Sequence, residues 1–182
     1  MRKIVNLFLL AIIVISFTSC ASKDILLFLN WGEYIDDEIL DVNALFTAET
    51  GIEINYKTYE SNESMYTLLK SGAAQYDVVI PSDYMIGKMI EEGMLAKLNF
   101  DNIPNYKYIN ENFHGLYYDP DDLYTVPYTY GIIGIMYNAN VVDEADVGSW
   151  DLMWNEKYAG NILTFNNSRD SFGTAMYKLG LD

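Results

Sequence analysis

The sequence predicts an α/β fold built on a parallel sheet, and three observations predict it. Between residues 25 and 93, short apolar runs alternate three times with segments of helical period. The first run, Ile25 to Leu29, is continuously apolar, as a strand buried on both faces requires. Stop signals close the segments: Gly51 and Gly93 after helical patterns, Pro81 after a strand pattern. Strand, helix, strand, helix, strand, helix implies right-handed crossovers and a sheet covered on both faces.

Each element has a local reason. After Ile25–Leu29, Asp36 and Asp37 favour a helix start, where carboxylates meet the positive end of the helix dipole. Ile39, Leu40, Leu45 and Phe46 recur on the helical period, and Gly51 supplies the C-cap. Ile52 to Thr58 alternates as a second strand. Ser61 or Asn62 caps a helix to Lys70 with Met65, Leu68 and Leu69 inward. Tyr76 to Ile80 is a third strand. Ser82 caps the next helix, with Ile86, Met89 and Ile90 as its apolar stripe. Residues 98–124, rich in Asn, Asp and Tyr, read as loops and short helix. Thr125 to Tyr130 reads as extended, and Gly131 to Tyr137 as a strand entering a second unit. Ser149 caps a short helix over Trp150 to Asn155. Ile162 to Phe165 is a further strand and Ser171 to Leu179 a further helix.

The N-terminus reads as an export signal: Arg2 and Lys3, then an apolar run from Ile4 to Phe17. That run is short of the about 20 residues a membrane-spanning helix needs. It closes on Phe17-Thr18-Ser19-Cys20, and Cys20 is the only cysteine. Small residues just before a lone cysteine point to cleavage there and lipidation of its thiol. Phe17 stands where leucine is usual, and an ordinary secretory signal is the plainer alternative. The expected organisation is a signal over 1–19, a lipid-anchored linker over 20–24, a first α/β lobe over 25–130 and a partial second lobe over 131–182. The second unit, with about two strands and two helices, is too small to close its own core. The chain is therefore expected to be a truncated one.

Composition narrows the function. One cysteine excludes a disulfide framework and cysteine-cluster metal sites. The formal net charge is −15, and it becomes two units more negative once Arg2 and Lys3 leave with the signal. Nucleic acid and anionic membrane surfaces need basic patches, so neither is an expected partner. His114 is the only histidine, expected to be exposed. Asp119-Pro-Asp-Asp122 lacks the spacing of a calcium loop. No phosphate loop, nucleophile elbow or nucleotide fingerprint is present, and no metal or cofactor is expected.

The expected strand ends share one pattern, aromatic rings beside acids. They are Asn30-Trp31-Gly32-Glu33-Tyr34, Tyr59-Glu60-Ser61-Asn62-Glu63 and Pro81-Ser82-Asp83-Tyr84. Ligands of open α/β sheets bind just beyond the carboxyl ends of the strands. Rings and carboxylates gathered there suit a ligand both apolar and positively charged, such as a polyamine. Each ammonium taken from water needs a carboxylate or a ring face, and an unpartnered one costs several kcal/mol. A ring face under a cation contributes about 0.5–2 kcal/mol. Each buried methylene contributes about 0.8 kcal/mol. Glu60 and Glu63 are expected to serve the helix start. Duller readings stand beside each residue: Trp31 and Tyr34 as packing, Glu33 as a solvated acid, Ser82 as a cap, Tyr84 as a surface ring, Asp170 as the first-turn acid of its helix. Paired acids and rings also occur in glycoside hydrolases, but here no acid/base pair is evident.

From about Leu27 onward the chain resembles the spermidine/putrescine-binding proteins of bacterial ABC transporters. The resemblance lies in Asn30 to Tyr34, Thr58 to Tyr66, Tyr76 to Tyr84, Val126-Pro127-Tyr128, Ser149-Trp150 with Trp154, and Asn166 to Asp170. It implies a periplasmic-binding-protein-like (type II) fold, with the first lobe near complete and the second truncated. It implies a non-enzymatic receptor, a monomer, that captures a polyamine ligand for ABC permease subunits. It implies residence on the periplasmic or extracellular face, with Cys20 as the lipid anchor. Trp31, Glu33 and Tyr34 would line the ligand cleft from the first strand end, and Ser82 and Tyr84 from the third. Asn167 and Asp170 would come from the second lobe, Asn167 standing where the family usually has an acid. Glu33 and Asp170 would meet ammonium groups, and Trp31, Tyr34 and Tyr84 the linkers. Tyr130 to Ile133 would form one hinge strand. A receptor of the same architecture for an iron complex, sugar or amino acid is the nearest alternative.

Overall fold

Why Ile25–Trp31 becomes the central strand is visible in the computed structural model, which describes residues 24–35 and 38–181. Strand β1 (Ile25–Trp31) pairs in parallel with β2 (Glu53–Tyr59) over its whole length, from Ile25 opposite Glu53 to Trp31 opposite Tyr59. On its other edge it pairs in parallel with β3 (Val78–Val79), Phe28 opposite Val78 and Leu29 opposite Val79. The sheet order is β2-β1-β3. The most apolar run takes the position with neighbours on both edges, and Leu29 and Asn30 are fully buried. β3 is shorter than the expected Tyr76 to Ile80. Its ladder is nonetheless continued by Asp77 N–H to Leu27 O (2.9 Å) and Ile80 N–H to Leu29 O (3.0 Å).

Among the described residues there are four α-helices. Helix α1 (Val42–Thr50) starts at Asp41, whose side chain accepts from Ala44 N–H, and ends at Gly51 in the left-handed conformation, φ 77°. The expected starters, Asp36 and Asp37, lie outside the described residues. Ile39 and Leu40 precede the helix and are exposed, as is Leu45, so the expected apolar face is not buried. The Asp41 cap sets this boundary. Helix α2 (Asn62–Lys70) has Ser61 at its N-cap in a reciprocal capping arrangement with Ser64. Glu60 and Glu63, expected to serve that start, are not part of the cap. Helix α3 (Asp83–Glu91) has Ser82 at its N-cap, but the Ser82 side chain makes no capping bond. Helix α4 (Ser168–Leu179) starts three residues before the expected Ser171, at the Asn167 cap, and ends at Gly180, φ 64°. Among the described residues no helix is long and apolar enough to cross a membrane.

The chain divides into two compact units. One takes in the described residues up to Lys97 together with Gly115–Tyr124; the other comprises Leu98–His114 and Thr125 onward. The expected lobe boundary at 130 falls inside the second of these. The first unit holds the sheet, α1, α2 and α3. Leu29, Tyr59, Met65, Met85 and Met89 form its core, with Trp31, Tyr66, Leu69, Tyr76, Val79 and Tyr84 packed against them. Three methionines in so small a core fill irregular gaps between the two helices and the sheet. Asp119 is buried here; its carboxylate accepts from Leu123 N–H (3.0 Å) and Tyr124 N–H (2.9 Å) and so shapes its own loop.

The second unit contains six short 3-10 turns and α4. Ser149 caps Trp150–Trp154 as expected, accepting from Asp151 N–H. Trp150 stacks on Tyr177 with centroids 5.4 Å apart, and Lys178 pairs with Asp151, which ties α4 to that turn. Tyr158 is buried; it donates to Asp146 (2.7 Å) and accepts from Asp143 N–H (3.0 Å). His114 is half-buried rather than exposed, edge-on to Tyr106 at 4.9 Å and 3.3 Å from Ile109 O through Nε2. Gly131 to Tyr137 and Ile162 to Phe165 do not form the expected strands, nor does Tyr130 to Ile133 as a hinge strand. A strand exists only where a neighbour answers its N–H and C=O groups, and no ladder reaches these segments among the described residues. Ile132, Met136 and Leu163 stand exposed there.

Candidate functional site

The order β2-β1-β3 places a topological switch point between β1 and β3. From β1 the chain passes to one side to form β2, then crosses to the other side to form β3. Doubly wound folds bind ligands at such a point, just beyond the carboxyl ends of the strands. Five of the seven expected ligand-binding residues stand at these ends. Trp31 closes β1, with Glu33 and Tyr34 in the turn after it. Ser82 and Tyr84 open α3 immediately after β3.

An aromatic floor joins the ends. Trp31 lies 4.6 Å from Tyr59 and 6.2 Å from Tyr34 between ring centroids. Tyr59, the last residue of β2, is buried, and its hydroxyl donates to Ile80 O at 2.6 Å. One phenol thus bridges the β2 end to the β3 end. Burial, then the proximity of Tyr34 and Tyr84, raises its pKa far above that of an ordinary phenol. Those two neighbours place Tyr34, Tyr59 and Tyr84 in one electrostatic environment. Trp31 is half-buried, and both it and Tyr84 pack on the core. Tyr34 and Glu33 are exposed beyond them.

Asn62 organises the β3 side. It is 3% exposed. Its amide nitrogen donates to Ser82 Oγ at 3.0 Å and to Tyr84 Oη at 2.9 Å. Its amide oxygen accepts from Ser82 N–H at 3.1 Å. The Tyr84 hydroxyl in turn donates to Glu63 Oε1 at 3.2 Å. Glu63, read from sequence as part of a helix start, is therefore a partner of Tyr84. Neither Tyr59 nor Asn62 stood out as a site residue in the sequence. Tyr59 could have, since it ends an alternating strand in the same ring-and-acid pattern.

Asn167 and Asp170 lie in the second unit, at the start of α4. The Asn167 side chain accepts from Asp170 N–H at 2.8 Å, and its amide nitrogen donates to the Asp170 carboxylate. They form a capping pair, and both are half-buried. Cys20 lies outside the described residues. Among the described residues no group of three or more His, Cys, Asp or Glu side chains is arranged to hold a metal ion.

Known proteins are similar to this chain in sequence and fold. A family model described as bacterial extracellular solute-binding protein matches residues 43–182. The spermidine/putrescine-binding periplasmic protein of Escherichia coli K12 is 39% identical over 158 residues, covering 85% of this chain and 44% of that protein. The spermidine/putrescine ABC transporter substrate-binding protein PotD of Streptococcus pneumoniae, solved in complex with calcium and HEPES, is 40% identical with a TM-score of 0.69. That match covers 87% of this chain and 48% of the other. The Tp0655 (TpPotD) lipoprotein of Treponema pallidum is 29% identical with a TM-score of 0.77, covering 87% of this chain and 49% of the other. The chain spans about half the length of these relatives.

Proposed function

The chain belongs to the bacterial extracellular solute-binding proteins and has their periplasmic-binding-protein fold; on that premise we propose that it captures polyamines, spermidine or putrescine, for an ABC importer. The family is a class of binding proteins, not of enzymes, and the proposal includes no catalysis. The observation that carries it is the gathering of rings at the switch point of the first unit. There Trp31, Tyr34, Tyr59 and Tyr84 gather around the ends of parallel strands, with Glu33 beside them and Ser82 at the helix start.

The chemistry of that set suits the ligand. Ring faces of Trp31, Tyr34 and Tyr84 take the methylene linkers and attract the ammonium charges. Glu33 offers a carboxylate to one ammonium, and the Ser82 and Tyr84 oxygens offer acceptors. Asn167 and Asp170 enter through their motif in the second unit, Asp170 as the acid. The name of the Escherichia coli relative, which specifies spermidine and putrescine, supports this choice over a sugar, an amino acid or an iron complex. The proposal extends to export by the N-terminal signal, lipid anchoring at Cys20, action as a monomer on the periplasmic or extracellular face, and delivery to permease subunits. The lipoprotein status of the Treponema pallidum relative supports the anchor.

Isothermal titration calorimetry tests the ligand. Saturable heats are expected with spermidine or putrescine, and none with maltose or alanine. Replacing Trp31→Ala is expected to weaken polyamine binding by about tenfold or more, from loss of a ring face and of buried methylenes. A chain that ignores both polyamines and binds one of the neutral solutes would overturn the reading.

A further inference from the structure

We propose that Asn62 is a positioning residue for polyamine capture, holding Ser82 and Tyr84 so that both oxygens present lone pairs to an incoming ammonium group. The ligand's identity rests on the reading above; the geometry does not.

A side-chain amide offers two N–H donors and one acceptor oxygen. In Asn62 all three are committed to the β3 end: one N–H to Ser82 Oγ, the other to Tyr84 Oη, and the oxygen to Ser82 N–H. The residue is buried, so water does not compete for these bonds. Their effect on the two hydroxyls is directional. Tyr84 receives a proton donor from Asn62 and gives its own proton to Glu63. A hydroxyl that donates to a carboxylate becomes a better acceptor, because hydrogen bonds in a chain polarise one another. Its oxygen then suits an ammonium, which has only donors to offer. Ser82 is treated similarly: Asn62 both receives its backbone N–H and fixes the rotation of its side chain.

The alternative role is helix initiation. Asn62 is the first residue of α2, but the cap there is made by Ser61 and Ser64 without it. Ser82 precedes α3 with no capping bond of its own. Each helix start thus leaves the Asn62 amide free of capping duty and directed across to the other element. The link runs from the β2 end to the β3 end, over 20 residues to Ser82 and 22 to Tyr84.

Two substitutions separate positioning from folding. Asn62→Asp keeps the acceptor for Ser82 N–H and places a carboxylate at a helix N-terminus, where it is tolerated, but removes both N–H donors. Asn62→Ser is too short to reach either hydroxyl. Each is made in chains carrying 3-fluorotyrosine at position 84 or at position 34. The 19F line of residue 84 is expected to move or broaden in the ligand-free variants while that of residue 34 stays in place. Spermidine affinity by calorimetry is expected to fall about tenfold, the scale of one lost hydrogen bond to a charged group. An unmoved line at 84, or equal movement at 34 and 84, would overturn the positioning role, as would failure of both variants to fold. A wild-type chain that does not bind spermidine would sink the polyamine reading, and the fluorine line would still decide whether Asn62 holds Tyr84.

Discussion

Tyr59 is the residue on which the first unit's strand ends depend most directly. Its ring packs against Trp31 and its hydroxyl satisfies the Ile80 carbonyl, so it cannot ionise without losing both burial and a hydrogen bond. The neutral phenol is therefore the form the folded chain holds, and its folded pKa lies above the unfolded one. Its contribution to stability is complete below the ordinary phenol pKa of about 10 and is lost as pH rises from there toward the folded value. Urea unfolding followed from pH 8 upward is expected to show a falling midpoint above about pH 10, with a smaller fall in Tyr59→Phe. At neutral pH the same substitution is expected to cost about 1–3 kcal/mol, because it leaves the Ile80 carbonyl without its donor. Equal pH profiles for the two proteins would refute this account.

At the scale of elements, caps decide boundaries and burial decides strength. α2 and α3 bury Met65, Met85, Ile86 and Met89, while α1 has no buried residue. α1 is held by its Asp41 and Gly51 caps and by its neighbourhood to β2. Helices with little packed apolar surface open at low free energy. Amide hydrogen exchange is accordingly expected to be fastest in α1 among the helices of the first unit, and slowest in β1, α2 and α3. Protection of α1 equal to that of α2 would contradict the burial argument. Across α2 and α3 a surface cluster adds a further link: Lys70 and Tyr66 both donate to Glu92, and Lys88 lies over the Tyr66 ring at 4.1 Å. The Lys70 and Tyr66 donors hold the Glu92 carboxyl below its usual range. These groups are solvated, so their link is one of orientation and salt weakens it.

For the whole molecule the dominant property is charge. A formal net charge of −15 favours the approach of cations over the entire surface, not only at the site. If the proposed polyamine binding holds, spermidine affinity is therefore expected to weaken steadily as sodium chloride is raised from about 0.1 M to 1 M, over which the screening length falls from about 10 Å to 3 Å. Titrations repeated along that series check it; affinity independent of salt would assign binding to the rings alone. Much of this molecule was legible in the chain. Gly51, Ser61 and Ser149 stand at the helix ends where their chemistry puts them, Ser82 stands at one without a capping bond, and the ring-bearing motifs do stand at the ends of parallel strands. Ile39 and Leu40 misled, because a helical period says which face is apolar and not where a helix begins. Gly131 to Tyr137 and Ile162 to Phe165 misled for another reason. Their apolar character suits a strand, but a strand is a relation between two segments.

The sequence by itself determined what depends on near neighbours: helix caps made three residues apart, left-handed ends that glycine adopts at little cost, and the apolar run destined for the centre of a sheet. Only the tertiary structure decided the strand order, and with it the switch point where Trp31 and Tyr84 pack against one core. It alone gave Asn62 its partners and joined Tyr59 to Ile80. The physical reason is range. Capping and backbone sterics act within a turn of chain, whereas these contacts join residues some twenty positions apart, brought together only when the apolar faces of sheet and helices have packed.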